Sequence, residues 1–297
     1  VIYYMKDEYN NECPYDFKHI KFKKSDVWLY TFGGATDDSL TGNSTGNIIK
    51  ELKSSNKLSL NFNTFGTNCS FNNLNFNNHN NKFGDYCNFN ILGEGCNFNT
   101  FGDSCTSNTF GNSCRLNNFN GDNNYNNFGD NCYSNTLGYE CNFNTFGNEC
   151  FSNTFLDGCI NNTFSDGCTY NTFDYDCSNN NFGNGCRNNT FGSECSNNTF
   201  GSNCRLNTFG SNCYYNKFGN VCSDNTFTEG DTYNTFGDEC NNNNFGIYYS
   251  SNTFGNKCQY NNFYNGTTGT TPKNFVRYVV LEDGCRNNNF YSTLTTS

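Results

Sequence analysis

The sequence has little of what an ordinary globular enzyme is made of. Of its 297 residues only 34% are hydrophobic and 15% charged, with two Pro, two His, one Met and one Trp. His19 and His79 have no partner residues spaced for a catalytic triad or a metal site. The acidic pairs Asp37–Asp38 and Glu282–Asp283 would point to opposite faces of a strand, which does not suit a glycosidase. We therefore expect no enzymatic activity, no cofactor and no metal.

Two further absences limit the partners of the chain. There is no basic excess, since the net charge is −10 and the pI about 4.6, and the one obvious Lys cluster lies within residues 18–24. This charge disfavours nucleic acid and anionic lipid as partners. No apolar run approaches the ~20 residues that span a bilayer, and the N-terminus lacks the pattern of a secretory signal, so we expect no membrane insertion. Because the chain begins at Val1 rather than Met, we expect a fragment of a longer polypeptide.

What the sequence has instead is a nine-residue repeat. Between Asn63 and Phe263 the unit Asn-Thr-Phe-Gly-x-x-Cys-x-x recurs without insertion or deletion. Its Phe position occurs 23 times and holds Phe in 20 units and Leu in three. The Asn two residues earlier has no exception, and the Cys position four residues after Phe holds Cys in 18 units. Disordered Asn-rich chains have no reason to keep such a phase, whereas stacked repeats require it.

The repeat predicts an all-β fold, a parallel β-solenoid. Asn and Phe of each unit should point inward and Thr outward, because side chains alternate along a strand. The residue after Phe is Gly in 16 units, with Asn120 and Asp174 among the replacements, which predicts a corner with positive φ there. Nine residues are too few to enclose Phe, so we predict 18 residues per coil, with 27 as the alternative. The aromatic pairs Tyr125 and Phe143, and Tyr215 and Tyr233, are 18 residues apart and favour the shorter coil.

The inward Cys and Asn positions are expected to form structural ladders. The nine-residue spacing does not match zinc sites and Cys packs as a small hydrophobe, which predicts buried, reduced thiols folded in a reducing cytosol. Disulfides between stacked cysteines are the alternative. The Asn column should bond to itself and to backbone. The position two after Phe carries no continuous acidic column, so we expect no calcium roll, although it includes Asp85, Asp103, Asp130 and Asp238.

The repeat divides the chain into three predicted parts. Residues 1–56 form an N-terminal connector or cap with short strands, including the alternating stretch Asp26–Phe32. Residues 57–263 form the nonapeptide-repeat solenoid. Residues 264–297 form a C-terminal transition segment, with a strand at Phe275–Leu281, that continues into a missing region.

A variable position of the repeat predicts a binding surface. The second residue after Cys is not needed for stacking and is aromatic in several units. Aromatic faces in shallow rows suit sugar rings, which present apolar C–H patches. The alternative is that these rings only cover the corners of the coils. The candidate glycan-binding residues are Phe89, Phe98, Phe143, Tyr170, Tyr215 and Tyr233.

The start of the chain carries a family resemblance. The segment Met5–Lys18, followed by Trp28–Phe32 and then by the repeats, resembles fibre-like proteins of phages and prophages of gut Bacteroides, including crAss-like phages. The resemblance implies a non-enzymatic structural rod of a tail fibre or virion appendage, folded in the host cytoplasm and extracellular after release. The partners it implies are other virion fibre or tail proteins and a host cell-surface glycan, with a homotrimer as the expected oligomer.

Three rival functions share this architecture. A bacterial surface adhesin would be secreted and would carry oxidised cysteines. An ice-binding solenoid is suggested by the Thr that precedes Phe in many units, although Lys82, Ile91 and Lys217 interrupt that series. A capsule depolymerase would need carboxylates clustered on one face.

Overall fold

The computed structural model describes residues 31–32, 64–65, 67, 70, 73–74, 78–265 and 279–292. These residues fall into two compact units, residues 1–129 and 130–297. Most of the predicted strand Asp26–Phe32 lies outside the described residues, as do Cys13, His19, Asp37–Asp38 and the Lys cluster at 18–24. The described part is all-β, as predicted.

Strands of the first unit pair in parallel with every second strand along the chain. Even-numbered strands follow one another in one series after β1, and odd-numbered strands from β3 onward form a second. Paired residues are 18 apart, as in Lys82 with Thr100 and Phe83 with Phe101. The strands are β1 (Thr31–Phe32), β2 (Thr64–Phe65), β3 (Asn73–Leu74), β4 (Lys82–Phe83), β5 (Ile91–Leu92), β6 (Thr100–Phe101), β7 (Thr109–Phe110), β8 (Asn118–Phe119) and β9 (Asn127–Phe128).

The second unit repeats this arrangement over more coils. Its even-numbered strands form one parallel series and its odd-numbered strands another. Two nine-residue units therefore make one coil, and the predicted 18-residue coil is confirmed. The strands are β10 (Thr136–Leu137), β11 (Thr145–Phe146), β12 (Thr154–Phe155), β13 (Thr163–Phe164), β14 (Thr172–Phe173), β15 (Asn181–Phe182), β16 (Thr190–Phe191), β17 (Thr199–Phe200), β18 (Thr208–Phe209), β19 (Lys217–Phe218), β20 (Thr226–Glu229), β21 (Thr235–Phe236), β22 (Asn244–Ile247), β23 (Asn252–Phe254), β24 (Asn262–Asn265), β25 (Val279–Leu281) and β26 (Asn289–Ser292).

The core of each unit consists of stacked Phe rings. Phe101 stacks on Phe119 with ring centroids 4.8 Å apart, whereas Phe110, from the other half of the coil, meets Phe101 edge-on at 5.3 Å. Parallel offset stacks that meet edge-to-face suit the quadrupole of the aromatic ring. Phe173 and Phe191 repeat the stack in the second unit at 4.8 Å. The predicted inward Phe and outward Thr are confirmed.

The spacing changes from 18 to 27 residues at the C-terminal end of the described stack. Asn252 pairs with Val279, and Phe263 stacks on Phe290 with ring centroids 4.9 Å apart. Phe290 therefore keeps the phase of the core Phe series beyond the regular repeat. β25 contains the described part of the strand predicted at Phe275–Leu281.

The predicted positive φ at the Gly after Phe is wrong. The glycines with positive φ in the described residues all lie directly before the Cys position instead, as Gly158 and Gly185 do. Gly after Phe is explained by close approach between coils, since a Cβ at Gly210 would lie 2.7 Å from the carbonyl carbon of Gly192 in the preceding coil. The chain turns mainly at the residue before Cys and the residue before Asn, where φ is about 55–60° even for Val221 and Tyr233.

Candidate functional site

The buried Asn column forms a hydrogen-bond ladder, as predicted. The backbone N–H and Nδ2 of Asn153 donate to Oδ1 of Asn171 in the next coil, at 3.0 and 3.1 Å. Nδ2 of Asn153 also donates to the carbonyl of Cys132 at 3.1 Å. Oδ1 of Asn153 in turn accepts the N–H and Nδ2 of Asn135, both at 3.0 Å. Because Asp has no donor and Leu has neither donor nor acceptor, neither can replace this amide.

The Cys column forms a second ladder of buried thiols. The thiol of Cys159 donates to the carbonyl of Gly138 at 3.1 Å, and the N–H of Cys222 donates to Sγ of Cys240 at 3.3 Å. All 18 described cysteines carry thiols rather than disulfides, and only Cys285 is partly exposed. The neighbouring thiols of Cys141 and Cys177, together with burial, raise the pKa of Cys159. A protonated, buried thiol is a hydrogen-bond donor and a poor nucleophile.

Asp231 is an exceptional occupant of the Cys position. Its side chain is 2% exposed, and Oδ1 accepts the N–H of Cys213 at 2.7 Å. Oδ2 is buried without a hydrogen-bond partner. Burial raises the pKa of Asp231 from 3.8 to about 8. Sequence reasoning noted Asp231 only as a replacement for Cys and missed its burial, although a carboxylate in an otherwise inward series was a usable signal.

A third ladder runs outside the coils at the position two after Phe. The side chain of one coil accepts the backbone N–H of the same position in the next coil. Asp130 Oδ1 accepts the N–H of Asn148 at 2.7 Å, and Asp238 Oδ1 accepts the N–H of Asn256 at 2.8 Å. This explains why Asp, Asn and Ser recur there, a role that the sequence analysis did not assign to them.

The six predicted glycan-binding residues are all exposed, but they do not form one surface. Each has φ between 55° and 58°, so the position is constrained in backbone although its side chain varies. Because two units make one coil, the residues divide between two columns on opposite sides. In the first unit Phe89 and Phe98 lie in different columns, and in the second unit Tyr170 is separated from Phe143, Tyr215 and Tyr233. The one adjacent pair, Tyr215 and Tyr233, is stacked with ring centroids 4.9 Å apart.

The same division changes the reading of the outward Thr series. Lys217 belongs to the odd-numbered strands, and Lys82 and Ile91 lie in the first unit, so none of them interrupts the even-numbered strands of the second unit. Those strands carry an unbroken series of Thr in parallel register. We call it the Thr column; it comprises Thr136, Thr154, Thr172, Thr190, Thr208 and Thr226.

Another exposed column lies three residues before the Thr column. Its members are Tyr133, Phe151, Thr169, Arg187 and Arg205, and each pairs with the next through a parallel β-bridge. We call it the arginine–aromatic column. The rings of Tyr133 and Phe151 stack at 4.6 Å between centroids. Arg187 and Arg205 are both exposed and occupy adjacent coils. Sequence reasoning missed this column because its members are 18 residues apart and scattered among Asn-rich segments.

The described residues contain no group of three or more His, Cys, Asp or Glu that could hold a metal ion. No helix in this part of the chain is long and apolar enough to cross a membrane. Comparison with known proteins finds no family model, no curated protein and no solved structure that matches the chain.

Proposed function

We propose that the chain is a non-enzymatic structural segment of a phage tail fibre or virion appendage, which spaces or presents a surface that binds a host glycan. The observation that carries this proposal is the use of inward side chains for stacking. In the second unit Asn153 binds Asn171, Cys159 binds the Gly138 carbonyl and Phe173 stacks on Phe191. Side chains that could do chemistry are thus committed to joining coils, and coils joined in this way make a stiff segment.

The proposed location and partners follow from the same features and from the family resemblance. A reduced Cys ladder fits folding in the host cytoplasm before release of the virion to the extracellular space. Other fibre or tail proteins, and further copies of this chain in a homotrimer, would continue the assembly. The exposed rings of Tyr215 and Tyr233 supply a stacked pair against which a sugar ring can pack.

Labelled antibodies against the purified chain test the structural role. We expect them to mark the tails of intact phage particles in electron micrographs. Label confined to the surface of bacteria that carry no phage would instead favour the adhesin and overturn the proposal.

Glycan binding is tested with the purified chain and capsular polysaccharides of candidate hosts. We expect a Tyr215→Asn, Tyr233→Asn double variant to bind at least tenfold more weakly. Asn suits this test because Asn197 adopts the same positive φ. The matched control is Leu206→Asn, which removes one exposed apolar side chain from the other column. Equal binding by the Tyr variant and the wild type would leave the segment as a spacer only.

Ice binding is a second candidate function, favoured by the unbroken Thr column. Parallel register places its hydroxyl-bearing side chains at regular intervals of ~4.8 Å along the strands' pairing direction. Thermal hysteresis of the purified chain tests this candidate. A Thr172→Lys, Thr190→Lys variant should lose the hysteresis, whereas Thr163→Lys, Thr199→Lys, placed among the odd-numbered strands with Lys217, should keep it. Absence of hysteresis in the wild type would eliminate the candidate.

A further inference from the structure

The arginine–aromatic column contains an unfavourable juxtaposition of charge. Arg187 and Arg205 are joined by a parallel β-bridge, so their backbones are about 4.8 Å apart. Like charges on directly paired positions repel. Thr169 and Ser223, which flank them in the same column, are neutral. The fold therefore does not require a cation at either position.

No acidic side chain within the described residues compensates these two arginines by an ion pair. Asp224 lies in the next coil beyond Arg205, but its carboxylate accepts the hydroxyl of Ser223 at 2.9 Å. Asp166, on the coil before Arg187, accepts the backbone N–H of Asn184 at 2.7 Å. A local positive patch thus persists on a chain whose net charge is −10.

We infer that the arginine–aromatic column binds a polysaccharide that carries carboxylate groups. This inference rests on the proposed glycan-binding function and names its substrate class. Guanidinium groups donate paired hydrogen bonds to carboxylates, and two of them in adjacent coils can hold one carboxylate from both sides. The exposed rings of Phe151 and Tyr170 lie one and two coils before Arg187 and offer apolar faces to the sugar.

The surrounding groups favour an acidic glycan over a nucleic acid. Nucleic-acid binding draws its affinity from many phosphate contacts, and this column offers two cations on an acidic chain. The hydroxyls of Thr172, Thr190 and Thr208 lie in the neighbouring Thr column, half to fully exposed. Hydroxyl donors and acceptors beside aromatic rings suit the mixed polar and apolar surface of a sugar.

The test compares three linear polyuronates, polygalacturonate, alginate and hyaluronate, with their carboxyl-reduced forms. The binding variant is Arg187→Ser, Arg205→Ser, since Ser223 occupies the same column. The matched control is Arg115→Ser, Arg286→Ser, which removes the same charge from the same repeat position but from arginines paired with Asn97 and Gln259. Unchanged thermal unfolding of both variants shows that they fold.

We expect at least one polyuronate to bind the wild type, to bind at least tenfold more weakly after carboxyl reduction, and to lose a similar factor in the Arg187→Ser, Arg205→Ser variant only. Added salt should weaken this binding. Equal loss in both double variants would overturn the inference, as would equal binding of single-stranded DNA or failure of all three polyuronates. If neutral polysaccharides still bind through Tyr215 and Tyr233 in that case, the proposed function survives. If no polysaccharide binds at all, the glycan part of that function fails as well.

Discussion

Replacement of Asp231 by Asn should stabilise the protein at neutral pH. At the Cys position of the coils, the side chain accepts a backbone N–H and donates to a carbonyl 21 residues earlier. Asn123 does both, with its Oδ1 2.8 Å from the N–H of Cys105 and its Nδ2 2.9 Å from the carbonyl of Gly102. Asp231 has the acceptor but gains a donor toward the equivalent carbonyl, that of Gly210, only when Oδ2 is protonated. Asp231→Asn supplies that donor at every pH.

The magnitude follows from the raised pKa. Burial brings the pKa of Asp231 to about 8 in the folded chain, against ~3.9 for an unfolded Asp. Because the folded pKa is the higher one, the stability contributed by this group is fully present below about pH 4 and is lost as the pH rises to about 8. At 1.4 kcal/mol per unit, the loss between about pH 4 and 7 amounts to about 4 kcal/mol. The Asn side chain does not titrate, so the variant avoids this loss.

Urea unfolding and amide hydrogen exchange at pH 4.5, 6 and 7.5 measure the effect, the latter because stacked repeats can open locally. We expect the variant and the wild type to be similarly stable at the lowest pH, and the advantage of the variant to grow with pH. Protection should increase most at the amide of Cys213, which binds Asp231. The control Asp238→Asn removes an exposed carboxylate of the outer ladder and should not change the pH profile. A variant no more stable than the wild type at pH 7.5 would refute the reasoning.

Four further outcomes are expected. Asn171→Leu should lower the free energy of unfolding by about 3 kcal/mol or more, because buried donors and acceptors in two adjacent coils lose partners worth about 1–3 kcal/mol each; urea unfolding checks this, and a neutral effect would contradict the ladder. Val221→Asn should stabilise by about 1 kcal/mol, measured in the same way, since a β-branched residue is strained at φ 60°. Gly246→Ala should destabilise by about 1–3 kcal/mol, because its Cβ would overlap the carbonyl oxygen of Thr228; unchanged stability would show that the coils can separate at no cost. Thiol labelling of protein denatured without reductant should find the in-register cysteines reduced, and mainly disulfide-bonded protein would contradict both the thiol ladder and cytoplasmic folding.

The sequence alone determined the architecture because its period is a direct record of stacking. Asn recurs every nine residues without exception since a buried amide is needed to satisfy the N–H of the preceding coil, as Asn171 does for Asn153. Phe recurs because rings stack only on rings in the same phase. An inward Asn, an inward Phe and an outward Thr follow from strand alternation, and 18 residues per coil from the need to enclose Phe.

The tertiary structure decided what is adjacent on the surface. A nine-residue period does not tell which of two half-coils a residue occupies, so the six candidate aromatic residues read as one row in sequence and form two columns in space. For the same reason Lys217 seemed to interrupt a Thr series that is unbroken on its own side, and Arg187 and Arg205 became neighbours. The role of Gly was also hidden, since the close approach of Gly210 to Gly192 depends on how tightly coils pack, whereas φ is set at other residues. The burial of Asp231 likewise exists only where one coil covers the next.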